Sequence, residues 1–271
     1  MTTNASARTY RTLFISDVHL GTKACQADKL LEFLDYANAE TIYLVGDIVD
    51  FWRLRRSTYW PQSHNDVIQT LLGKARGGAR IVLIPGNHDE VLRGFAGKSF
   101  GGIEICLDDV HETADGRKFL ILHGDEFDIV TRYAKWLAFL GDWAYEAALW
   151  SNTHLNAVRR RVGLGYWSLS AYLKLKVKQA VNYVDDFESA LIAEAGERGV
   201  DGILCGHIHH AAMRDVGAVT YVNTGDWVES CTAVAENLSG RLEIIDWRRI
   251  TEAGENRPAG RAVVAELDVA A

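Results

Sequence analysis

Four cysteines are too few and too scattered to organise this 271-residue chain. Cys25, Cys106, Cys205 and Cys231 form no C-x-x-C pair. That spacing excludes a zinc ribbon and a disulfide framework, so reduced thiols in a cytosolic protein are expected. Also missing is any run of about 18 apolar residues, the length a membrane-crossing helix needs. The stretch from Met1 to Thr9 is polar and lacks the apolar centre of a secretion signal. Positive charge is short as well: 29 Lys and Arg face 36 Asp and Glu, a net charge of −7. A chain with that balance does not bind nucleic acid by bulk electrostatics. No internal repeat is present, which excludes a solenoid. The 48% apolar and 24% charged content fits a protein with a real core, either one large domain or a domain with an insertion.

Along the chain, Thr12–Ser16, Thr41–Val45 and Arg80–Ile84 read as buried strands. Helical spacing covers about 27–39 (Leu30, Leu31, Phe33, Leu34, Ala37) and about 65–75, with an Arg- and aromatic-rich loop at 51–60 between them. Strand, helix, strand, helix, strand predicts right-handed parallel crossovers. From Gly102 the pattern changes. Ile103–Leu107, Val110–Glu112 and Lys118–Leu122 read as antiparallel pairs around the Asp115-Gly116 turn. Residues 126–193 look helical and aromatic. A strand follows at Gly202–Cys205, then a hairpin over Ala212–Val222, and two closing strands at Thr232–Glu236 and Arg241–Trp247. The tail from about 251 to 271 has the composition of a disordered segment.

Metal-ligand residue types recur at strand ends: Asp17-x-His19, Gly46-Asp47-x-x-Asp50, Gly86-Asn87-His88-Asp89, His123 and Gly206-His207-x-His209. Any one of these is an ordinary turn residue. Five in one chain are hard to explain by packing, and in open α/β sheets the strand carboxyl ends are where ligands bind. Imidazole, carboxylate and amide together suit Mn²⁺, Fe or Zn²⁺ better than Ca²⁺. Their number exceeds one ion's needs and fits two ions sharing a ligand. The glycines before Asp47, Asn87 and His207 allow close backbone approach.

The order DxH, GDxxD, GNHD, H, GHxH, from Asp17 to His209, resembles the calcineurin-like metallophosphoesterase superfamily. The resemblance implies a four-layer αββα sandwich over residues 10–250 with a helical cap inserted at about 126–193. It implies two divalent ions, most simply Mn²⁺. One is held by Asp17, His19, Asp47 and His209, and the other by Asp47, Asn87, His123 and His207. Phosphoester or phosphoanhydride hydrolysis would then proceed by in-line attack of a hydroxide bridging the metals. His88 would protonate the departing oxygen while Asp50 orients its ring. Asp89 and Asp125 read as supports, and His210 as either substrate-facing or plain surface.

The substrate is suggested by the insertion. Between residues 129 and 184, eight bases face two acids in an otherwise acidic chain. Trp136, Phe139, Trp143, Tyr145 and Trp150 are among the interleaved aromatics. Such a segment fits a lipid headgroup with acyl chains, Trp136 and Trp143 included, or an anionic membrane; a lid with a solvated basic face is the plainer alternative. With Gly225-Asp226-Trp227 and Phe14–Leu20, the pattern is similar to the UDP-2,3-diacylglucosamine hydrolases of lipid A synthesis. Those enzymes usually carry Arg where this chain has His88, which leaves other lipid phosphates, nucleotides and, as a nuclease, DNA as alternative substrates. Arg53, Arg55 and Arg56 either contact phosphate or nucleotide or are merely solvated. The expected partners are a phosphorylated or nucleotide-sugar lipid and an anionic membrane rather than nucleic acid. The expected location is the cytoplasm, peripheral at the inner membrane.

Overall fold

The computed structural model describes residues 8–127, 184 and 186–253. The chain divides into two compact units, Met1–Asp125 with Ile192–Ala271, and Glu126–Leu191. The expected cap falls almost wholly on 128–183, and the expected disordered tail on 254–271; both lie outside the described residues, as do Trp136 and Trp143.

β1 (Arg8–Ile15), α1 (Ala27–Tyr36), β2 (Ala37–Val45), α2 (Phe51–Leu54), α3 (Gln62–Arg76) and β3 (Arg80–Ile84) open the fold. β1, β2 and β3 pair in parallel, as the alternation of strands and helices predicts. Their side chains divide by parity. Leu13, Ile15, Ile42, Leu44, Ile81 and Leu83 enter one core with Leu30, Phe33 and Leu34 of α1 and Val67 and Leu71 of α3. Phe14, Tyr43, Val45, Val82 and Ile84 enter a second core. Strands covered on both faces must be apolar at every position, which is why they read as unbroken hydrophobic runs.

The second core is shared with a second sheet. After β4 (Ser99–Phe100) and β5 (Ile103–Ile105) come β6 (Asp109–Glu112), β7 (Lys118–Ile121), a helix over 186–198 (α4) and β8 (Gly202–Cys205). β9 (Ala212–Val216), β10 (Val219–Asn223), β11 (Thr232–Glu236), β12 (Leu242–Asp246) and α5 (Trp247–Glu252) follow among the described residues. The larger sheet runs β12-β11-β1-β2-β3-β5-β4 and the smaller β6-β7-β8-β10-β9. Phe119, Ile121, Leu204 and Val222 of the smaller sheet pack in the core that holds Phe14 and Tyr43. The described residues thus form a mixed α/β sandwich of two sheets with helices on the outer face of the larger one. No helix among the described residues is long and apolar enough to cross a membrane.

Two local expectations fail. The helix expected over 27–39 stops at Tyr36, because Ala37, Asn38 and Ala39 pair with Arg8, Thr9 and Tyr10 as the start of β2. Ile103–Ile105 is not purely antiparallel either: β5 lies parallel to β3 and antiparallel only to the two-residue β4.

A buried carboxylate ties the two sheets together. Glu236 of β11 accepts hydrogen bonds from Thr12 Oγ1 (2.8 Å), Arg11 Nη1 (2.8 Å) and the Ala114 N–H (2.8 Å), and lies 2.7 Å from His111 Nε2. Burial alone would raise its pKa, but His111 and the other donors outweigh that and hold it at about 2. Because the folded value lies below the unfolded one, Glu236 stabilises the fold above about pH 4.5, and this contribution is lost as pH falls towards 2. Glu236→Gln is expected to lower stability by about 2 kcal/mol at pH 7 and to flatten the pH dependence over that window. Urea unfolding of both proteins at successive pH values checks this; parallel pH curves would refute it.

Candidate metal centre

Five strands from the two sheets end at one place. Asp17 and His19 follow β1, Asp47 follows β2, and Asn87 and His88 follow β3. From the smaller sheet, His123 follows β7, and His207 and His209 follow β8. The ladders continue past the strands into the loops. Asp17 N–H donates to Gly46 O (3.0 Å), His19 N–H to Asp47 O (2.9 Å), and Gly206 N–H to His123 O (3.1 Å). Trp227 of the Gly-Asp-Trp segment is buried against Phe33, with ring centroids 5.2 Å apart, and its backbone N–H braces the first loop by donating to Asp17 O (3.0 Å).

The ligand-type atoms gather in three overlapping groups: Asp17, His19 and His209; His19, Asp47 and His88; Asp47, His123 and His207. Asp47 belongs to two of them. Its Oδ2 lies 3.5 Å from His123 Nε2, 3.9 Å from His19 Nε2 and 3.9 Å from His88 Nε2. His209 Nε2 lies 3.1 Å from Asp17 Oδ1. Two of these imidazoles are oriented from behind. His123 Nδ1 lies 2.9 Å from Val45 O and His19 Nδ1 lies 3.3 Å from Asp50 Oδ2, so each Nδ1–H donates outward and Nε2 faces the centre. That arrangement suits metal-ligating histidine. Asp17 is aimed in the same way, with Ser16 Oγ and the His207 N–H (3.0 Å) both donating to its Oδ2.

Two observations show that a cation fits. Among the described residues, six buried side-chain polar atoms have no hydrogen-bond partner, although buried polar groups normally do, and three of the six are Asp17 Oδ1, Asn87 Oδ1 and His123 Nε2. All three belong to the expected ligand set. Burial disfavours a charged His123, yet Asp47 and Asp17 overcome it and push the ring's pKa to about 10, so the pocket demands positive charge. The backbone is adapted as well. Asp17, His19, Asp47, His207 and His209 all have left-handed φ between 50° and 73°, and Cys231 is the one other non-glycine described with positive φ. Such strain persists where the surroundings over-determine it, commonly at functional sites. A Cβ on Gly86 would collide with Asp47 Oδ1 and His123 Nε2, and one on Gly206 would lie 2.5 Å from Asp17 Oδ2.

A profile described as calcineurin-like phosphoesterase matches residues 10–211. The chain belongs to the calcineurin-like phosphoesterase family. Membership makes it a metal-dependent hydrolase of phosphoesters. Among curated proteins, none matches. Similar solved structures include a single mutant of Vps29 from Entamoeba histolytica, at 14% identity and TM-score 0.41, covering 87% of this chain and 98% of that one. An archaeal phosphodiesterase is 15% identical at TM-score 0.39 (86% and 98% covered). Vacuolar protein sorting 29 of Cryptosporidium parvum is 11% identical at TM-score 0.43 (86% and 94% covered).

Around the phosphoesterase centre the remaining expected residues separate. His88 Nδ1 lies 3.0 Å from Asp50 Oδ2, so Asp50 faces both His88 and His19. Burial opposes a charged His88, but Asp50 and Asp47 prevail and raise its pKa. Arg53, Arg55 and Arg56 are exposed on and just after α2 and form no ion pair with a described residue; His210 is exposed too. Asp125 pairs with Arg93 through both carboxylate oxygens (2.7 and 2.8 Å).

One neighbour of His88 was missed by sequence reasoning, which singled out only the arginines of its loop. The Trp52 ring lies over His88 at 4.3 Å, and its Nε1–H donates to Glu90 Oε1 (3.3 Å). An aromatic two residues beyond Asp50, in the turn that Asp50 caps through the Arg53 N–H (2.7 Å), was the available signal.

Asp89 holds the ligand loops in place. Its buried carboxylate accepts from the N–H groups of Gly86 (2.6 Å), Ile48 (2.8 Å), Asp47 (3.3 Å) and Val49 (3.3 Å). Asp89→Ala leaves these donors without their acceptor and is expected to destabilise the fold by about 3 kcal/mol or more, lowering Tm by roughly 6–12 °C. Thermal unfolding checks this, and a loss under about 1 kcal/mol would mean that water replaces the carboxylate.

Proposed function

We propose that this phosphoesterase holds two divalent ions, Mn²⁺ in the simplest case, and hydrolyses the phosphoanhydride of an acylated nucleotide sugar of the UDP-2,3-diacylglucosamine type. The observation that supports the reaction is the three overlapping groups of ligand-type side chains, two of which share Asp47. In this reading Asp17, His19, Asp47 and His209 hold one ion, and Asp47, Asn87, His123 and His207 the other. Bound ions would supply charge neutralisation at the phosphoryl group and acidify water. The chain's own part is to place a proton: His88 gives one from Nε2 to the departing oxygen, and Asp50, with Oδ2 3.0 Å from His88 Nδ1, orients the ring. Arg53, Arg55, Arg56 and His210 offer exposed cationic or polar contacts for phosphate or nucleotide.

The substrate reading is supported by the basic, tryptophan-rich composition of residues 129–184, with Trp136 and Trp143 proposed as acyl contacts and an anionic membrane as the surface on which the substrate is met. A second reading has its own support. His88 stands where the resembled hydrolases usually carry arginine, and its pairing with Asp50 suits a phosphodiesterase or phosphatase acting on another lipid phosphate or nucleotide. Hydrolysis of UDP-2,3-diacylglucosamine, lipid phosphates, nucleotide phosphodiesters and DNA with added Mn²⁺ separates these. The expected result is highest kcat/KM on the acylated substrate, rising with acyl length by up to ~0.8 kcal/mol per CH₂. Equal rates on unacylated diesters would remove the lipid reading and leave the phosphoesterase intact.

A further inference from the structure

Away from the metal centre, an apolar cavity of about 220 Å³ opens on the outer face of the larger sheet. Leu83 of β3, Ile68 of α3, Leu92 and Phe100 line it, together with Ile48 and Val49 from the loop after β2. Its lining is wholly apolar. A peptide backbone placed there would bring N–H and C=O groups with nothing to bond, at a cost of several kcal/mol each. Hydrocarbon carries no such penalty, and a cavity of ~150 Å³ with similar lining already accepts a benzene ring. The mouth is apolar too. Phe100 is 53% exposed and Phe95 44% exposed, and their rings touch edge to face at 5.5 Å. Between them on the chain, Lys98 is exposed and forms no ion pair with a described residue.

We propose that this cavity binds the tail of a single-chain anionic amphiphile of the fatty-acid class, with its head group at Lys98. The dry lining selects the tail, and Lys98, whose backbone carbonyl accepts from the N–H of the lining residue Ile105 (2.9 Å), supplies the cation that selects the sign of the head. The loop after β2 gives the site a link to catalysis. Asp47 and Asp50 face the metal centre while Ile48 and Val49, between them, line the cavity, so one short segment walls both. The proposal rests on the cavity and its mouth and stands whether or not the substrate is a lipid.

The test is displacement of the fluorescent fatty acid cis-parinarate from the full-length protein by dodecanoate, below micelle concentrations and without added metal or phosphoester. Dodecanoate is expected to bind. Ile68→Phe, which fills the cavity, should weaken it at least about tenfold, the equivalent of some two methylenes no longer buried. Lys98→Glu should weaken it by about two- to fivefold, the range for an exposed ion pair, and dodecanol should bind wild type less tightly than dodecanoate. Ile103→Phe serves as a second filling variant should Ile68→Phe not fold. Affinity unchanged by both the filling variant and Lys98→Glu would place the chain elsewhere and overturn the proposal. Binding seen only with anionic phospholipid vesicles would likewise overturn it in favour of a membrane contact.

Discussion

Asp47→Asn is expected to empty the metal centre and remove nearly all hydrolysis. Asp47 belongs to two of the three ligand groups: Oδ2 faces His19, His88 and His123 within 3.9 Å, and Oδ1 accepts the His88 N–H at 2.8 Å. Burial would raise its pKa, but His123 and the other imidazoles keep it below the ordinary range, so the group is a carboxylate at neutral pH. Asparagine has nearly the same shape and can keep the His88 N–H bond, so the fold should survive while the shared negative charge is lost. Wild-type protein loaded with excess Mn²⁺ should carry about two ions per chain, and the variant fewer than about one. Loss of several kcal/mol of charge stabilisation corresponds to a fall in kcat/KM of ~10³-fold or more. Metal analysis and kinetics on the same samples check both. A variant that keeps two ions at wild-type affinity would exclude Asp47 as the shared ligand.

His88→Ala should behave differently. If His88 delivers a proton, turnover falls by ~10²–10⁴-fold on substrates with poor leaving groups, and by much less on a nitrophenyl ester, whose leaving group needs no proton. Metal content should not move. The geometry makes this a real test, because His88 Nε2 shares a potential ligand group with His19 and Asp47. Loss of an ion from His88→Ala would make it a ligand and leave the proton donor to be found. Asp50→Ala should reproduce part of the leaving-group dependence and also weaken metal binding, since the same carboxylate stands behind His19.

The parts of this site legible in sequence are those that obey local chemistry. A hydrophobic run ending in Gly and a ligand-type residue is visible at Asp47, Asn87 and His207, because strand and turn are short-range signals. What the residues do not announce is set by contacts far apart on the chain. Asp89 reads as one more acid after a histidine, and its function depends on N–H groups some forty residues earlier. Left-handed backbone at Asp17 or His19 is likewise invisible, since Asp and His tolerate it better than most residues but adopt it only where the neighbouring loops impose it. The parallel pairing of β5 with β3 is also illegible, because three residues carry too little pattern to distinguish parallel from antiparallel.

The position of β11 bears on how the site comes into being. β1, which leads into Asp17 and His19, lies between β2 and β11, and β11 begins only at Thr232. During synthesis the amino-terminal strands emerge first, but this partner emerges more than two hundred residues after β1 begins. Loop closure over such a separation is slow, and strand edges left open invite wrong pairing in the meantime. A nascent chain interrupted before Thr232 already carries every candidate ligand, yet the strand leading into two of them still has an open edge. The edge of the strand that carries two candidate ligands is therefore closed only when the last strands are made.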